Sequence, residues 1–160
     1  MAQVNTTSAY VAPDRHSILG TVLTGLVVGL VGWLLSLAIQ TWIIDPVFCR
    51  SPQTFAVCAN GGTIGWVIAM ILVSIASLLS LVRNGVFRPL LVVLASLIAL
   101  WGASAWLGPL PWWQGMLWHG VLFALAYALF AWVARLSNFL IAVIITIVLI
   151  VAARLIVIGS

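Results

Sequence analysis

Asp45, His119 and Arg154 are the residues through which this chain could do chemistry inside an apolar setting. His119 and Arg154 interrupt long apolar runs, and Asp45 is one of two acids, the other being Asp14. An ionisable group held in hydrocarbon is expensive, about 2.5–3.5 kcal/mol for a central arginine, and such groups generally face a bundle interior or a wet cavity. By helical rise Arg154 lies ~9 Å from the chain end and His119 ~10 Å below Trp112, so both fall in the leaflet where Asp45 ends its own run. A carboxylate, an imidazole and a guanidinium at one depth would make a polar cluster fit for a ligand or an ion. The competing reading needs no cluster: Arg154 extends its head to the lipid headgroups, and His119 bonds a backbone carbonyl between helices. Trp118 beside His119 adds a third chemistry, an imidazole ligating a haem iron or a chlorin magnesium with rings packed on the macrocycle. Against it, the chain has no Cys-x-x-Cys-His attachment motif.

Cys49 and Cys58 are the second pair with chemical potential. Their spacing can close a small ring, and in an oxidising compartment a disulfide across it would contribute roughly 2–3 kcal/mol. Two thiols without a neighbouring histidine or carboxylate fall short of the four ligands of a structural zinc site, so no metal is expected here. Nor do the residues suit an enzyme. General acid–base work needs several positioned ionisable groups, and the whole chain has two acids and two histidines. There is no Gly-x-Ser-x-Gly elbow and no phosphate-cradling glycine loop ahead of a basic residue.

The elements that must position these residues follow from composition. Hydrophobic residues make up 65% of the 160 and charged residues 5%, far below the charged share of soluble domains. The expectation is an all-α, polytopic membrane bundle of about five transmembrane helices. A polar tail, 1–16, precedes a single membrane domain, 17–160. The expected spans are 17–44, 63–82, 90–107, 112–134 and 139–158, with a loop at 45–62 marked by two prolines and Asn60-Gly61-Gly62. The first run is too long for the core of a signal peptide and is read as a retained helix.

The net charge of +4 comes from six arginines and two acids. They are too scattered for a nucleic-acid surface, but they orient the chain. With the N-terminus cytoplasmic and the C-terminus outside, Arg15, Arg83, Arg88 and Arg135 lie inside and Arg50 outside, as the positive-inside bias requires. The same orientation puts both cysteines on the extracytoplasmic side, where thiols oxidise. A plasma membrane follows, of the bacterial inner-membrane kind.

Gly25, Gly29, Gly32 and Ser36 place small residues on one face of the first helix, a surface that admits another backbone. The partner is a helix of the same chain or of a second copy. Ser74, Ser77 and Ser80 are expected to bond back to their own helix, and most of the nine tryptophans to anchor helix ends at headgroup level. Two functions fit these features. One is a noncatalytic accessory or scaffold subunit that packs on itself or on other membrane proteins. The other is an oligomeric channel or transporter for a small solute or ion, with Asp45, His119 and Arg154 lining its outer mouth.

Overall fold

The computed structural model describes residues 15–49, 58–86, 88–103, 107, 109–136 and 138–159, and no strand occurs among them. Positions 1–14 of the polar tail, the middle of the cysteine loop with Arg50, and the side chain of Arg154 lie outside the described residues. Helix α1 (Arg15–Ile39) runs on through one π-helical turn (Gln40–Ile44) into α2 (Asp45–Phe48). After the cysteine loop come α3 (Gly61–Arg83), α4 (Pro89–Ala99), α5 (Trp112–Ala134) and α6 (Phe139–Gly159).

Three helical stretches are long and apolar enough to cross a bilayer: Ile18–Phe48, Gly61–Arg83 and Trp112–Ala134. At 1.5 Å per residue the latter two reach ~35 Å, enough for a hydrocarbon core of ~30 Å. They make this an all-helical, multi-pass membrane protein in contact with lipid.

The expected boundaries move at three places, one of them the start of α3, where Gly61 and Gly62, read as loop, are helical. Asp45 and Pro46, read as loop, are helical. Proline has no N–H to donate, and its ring presses on the carbonyl four residues back. The chain meets this by widening the turn just ahead, where the Asp45 N–H bonds the Gln40 carbonyl five residues earlier. The third expected span, 90–107, is also too long as a helix. Helix α4 stops at Ala99, and Gly102 follows in the left-handed region with φ 88°, a conformation that ends a helix cheaply only at glycine.

The α3–α4 turn is built as the sequence suggests. Asn84 caps α3 and Gly85 takes φ 65°. The Val86 N–H reaches the Leu81 carbonyl and the Gly85 N–H the Val82 carbonyl, the paired bonds of a Schellman stop. Pro89 then opens α4 at its first turn. Arg88 between them is left-handed, φ 56°, a costly conformation for a non-glycine residue. Its guanidinium lies 4.9 Å from the Phe139 ring centroid and donates to the Leu136 carbonyl, joining this turn to the start of α6.

Helix α1 packs on both α3 and α5, which reach each other through side chains, and α4 lies against α3, α5 and α6. Gly61, Gly65, Ala69, Val73, Ser77 and Leu81 of α3 are buried along one row of four-residue steps, an inclined ridge that winds around a 3.6-residue helix. Trp66, Met70, Phe123, Tyr127 and Phe130 fill the centre. Contacts between α1 and α5 run in opposite order along the two helices (Gly25 with Tyr127, Gly29 with Gly120, Gly115 with Trp33), so those helices are antiparallel. Trp66 meets His119 and Ser77 meets Tyr127, so α3 and α5 are parallel. The connection from Arg83 to Trp112 must therefore return the chain to the opposite end of the bundle. The 11 residues of α4 cover ~16 Å of that distance, about half the hydrocarbon core.

Candidate functional site: a histidine between two indoles

His119 sits on α5 with 1% of its surface exposed. The Trp66 indole Nε1–H, from α3, lies 3.3 Å from its Nε2. Indole nitrogen only donates, so Nε2 accepts and the imidazole is neutral with its proton on Nδ1. That proton faces the carbonyl of Gly115, one turn earlier on the same helix, at 3.1 Å. Trp33 from α1 covers the other side, its ring centroid 4.4 Å from that of the histidine. The Trp33 indole in turn donates to the Trp112 carbonyl at 3.1 Å, which ties α1 to the first residue of α5. Trp101 meets Trp66 edge to face at 5.7 Å, and Phe123 lies beyond the histidine.

Glycine makes this arrangement fit. A Cβ on Gly115 would lie 2.5 Å from the Trp33 ring, so the indole plane rests where a side chain would otherwise be. Gly25 and Gly29 bring α1 against α5: a Cβ on Gly25 would stand 2.7 Å from the Phe123 carbonyl oxygen, and one on Gly29 would run into the carbonyl of His119. Gly32 and Ser36 face α3 instead. A Cβ on Gly32 would meet the Met70 methyl, and one on Gly65 would stand 3.1 Å from the Ser36 carbonyl oxygen. The small-residue face of α1 is thus occupied by two helices of its own chain, one at each half.

Further side-chain bonds tie the three helices below the histidine. Ser77 donates to the Ser74 carbonyl, so Tyr127 donates the 3.0 Å bond to Ser77 Oγ. Thr24 donates to the Gly20 carbonyl, so Ser80 donates the 3.2 Å bond to Thr24. Ser74 bonds back to Met70, as expected, whereas Ser80 reaches across to α1. Among the described residues every buried side-chain nitrogen and oxygen has a partner.

Asp45 is exposed at the start of α2 and is not among the partners of His119; Arg154 lies on the last turns of α6, its side chain outside the described residues. Cys49 and Cys58 form a disulfide with Cα atoms 5.2 Å apart, tying the end of α2 to the approach to α3. Trp118, the sequence neighbour of His119, is 53% exposed on the outer side of α5. The indoles that do meet the histidine are Trp33 and Trp66. Trp66 was not singled out from the sequence; the small residues Gly115 and Gly120 around His119 were the available sign that α5 is approached closely there. Among the described residues no three histidine, cysteine or acidic side chains gather as a metal site would require.

No protein-family model, curated protein or solved structure matches this chain.

Proposed function

We propose that this protein is a noncatalytic membrane subunit, an accessory or scaffold chain that packs against other membrane proteins or against itself. The observation that supports this reading is the use made of the polar groups inside the bundle. His119, Trp33, Trp66, Ser77, Tyr127, Thr24 and Ser80 bond to one another or to backbone, joining α1, α3 and α5 in all three pairings. Such bonds favour a fixed arrangement of helices. An imidazole with both nitrogens engaged fits a locking role better than ligation of a metal or tetrapyrrole.

In the proposed topology the N-terminus is cytoplasmic and the chain crosses five times, with α4 and the segment after it making the third crossing and α6 the fifth. Arg83, Arg88 and Arg135 then share the cytoplasmic face and the disulfide lies outside, which suits a bacterial inner membrane. The test is native mass spectrometry of the protein extracted from its own membranes in mild detergent, with an absorption spectrum of the same sample. A mass containing a different membrane chain, without a pigment band, is expected. A bare homo-oligomer that raises liposome permeability on its own would overturn the reading in favour of a channel, and a Soret or chlorin band would overturn it in favour of a pigment site.

A further inference from the structure

Helices α1 and α3 meet closely at Gly32 and Gly65, but between them a groove of about 480 Å³ stays open. Its floor is Val28 and Val73, both buried, and its walls are Val27 and Val31 on one side and Leu72 and Ala76 on the other. The hydroxyls of Thr24, Ser77 and Ser80 border it, yet each is bonded to backbone or to another hydroxyl, so the lining is apolar in effect. The volume falls within the ~300–1,000 Å³ of small-molecule sites. From Leu23 to Leu35, the limits of the groove along α1, the rise is ~18 Å, close to the ~15 Å of one leaflet's hydrocarbon. The Val27 and Leu72 walls are half exposed, so the groove opens sideways into lipid rather than into water.

Charge marks one of its ends. Leu72, Ala76 and Arg83 are spaced by four and seven, which keeps them on one stripe of α3, and Arg83 is exposed in the last turn of that helix. Arg88 and Arg135 lie at the same end of the bundle, while the acid among the described residues, Asp45, lies at the opposite end. An apolar slot one leaflet long, with a cation in line beyond it and no described carboxylate at that end, is complementary to a lipid with an anionic headgroup.

We propose that this groove holds one acyl chain of an anionic phospholipid drawn from the leaflet at the Arg83 end, with the lipid phosphate at Arg83. The test is native mass spectrometry of the detergent-purified protein titrated with phosphatidylglycerol or with phosphatidylcholine. Phosphatidylglycerol should bind the tighter of the two, and R83Q should weaken it about five-fold, the value of one cation at a membrane surface. R135Q, which removes a cation on α5, should leave it unchanged. Filling the groove from its lipid-exposed walls, by V27W or independently by A76L, should weaken both lipids while leaving the thermal unfolding midpoint near that of the wild type. Equal binding of the two lipids, an equal loss in R135Q, or undiminished binding in both filled variants would overturn the proposal. So would a dimeric mass that V27W converts to monomer, which would make a second copy the occupant.

Discussion

At the scale of single residues, the bond between Trp66 and His119 decides how the centre of the bundle is held. Removing only the acceptor leaves a buried indole N–H unpaired, at a cost of about 1–3 kcal/mol, whereas removing both partners avoids most of that loss. H119L is therefore expected to lower stability by about 2 kcal/mol, and H119L combined with W66F by clearly less than the sum of the separate losses. Reversible unfolding in detergent measures this, and strict additivity would show that the pair is not coupled. The histidine itself was legible as an unusual polar residue in an apolar run. Its partners were not, because adjacency in a helical sequence is a turn of about 100° in space. Trp118 points away for that reason, while indoles from distant helices close the site.

At the scale of helices, the glycines of α1 differ in what they face. Alanine at Gly29 would drive a methyl into the His119 carbonyl and stand against Gly120 Cα, backbone on a packed helix that cannot step aside. Overpacking of this kind costs roughly 1–3 kcal/mol. Alanine at Gly32 meets the end of the Met70 side chain, which can turn away, and alanine's better helix propensity, up to ~1 kcal/mol, offsets what remains. G29A should therefore unfold at markedly lower temperature than wild type and G32A close to it; equal losses would contradict the two-partner packing of α1. That α1 would be approached closely could be read from Gly25, Gly29, Gly32 and Ser36. That Gly25 and Gly29 meet α5 while Gly32 meets α3 could not, since a helix apolar all round carries no periodic mark of its buried side. For the same reason the end of α4 was missed: the apolar run continues past Ala99, and only Gly102 signals the stop.

At the scale of the whole molecule, composition was enough to read a helical membrane bundle, because long continuous apolar runs in a 65% hydrophobic chain with 5% charge suit spanning helices and lack the apolar–polar alternation of barrel strands. The cysteine pairing was legible too, since it rests on arginine counts and loop length rather than on side-chain packing. It yields a check on orientation. In intact cells a membrane-impermeant maleimide should fail to label Cys49 or Cys58 before reduction and label both after it with an impermeant phosphine. Labelling that requires the membrane to be permeabilised would reverse the proposed topology.

The bonds that join α1 to α3 have an order in time built into them. The disulfide at Cys49 and Cys58, the Gly65 approach to Ser36, the Gly32 approach to Met70 and the Thr24–Ser80 bond all lie in the chain before residue 85. Every contact made by His119 and Tyr127 waits for α5. As the polypeptide emerges from the ribosome N-terminus first, a cross-linked helical hairpin can be complete before the last helix of the trio exists. The late arrival then docks into a template whose slot for it, lined by Gly25 and Gly29, has already been set.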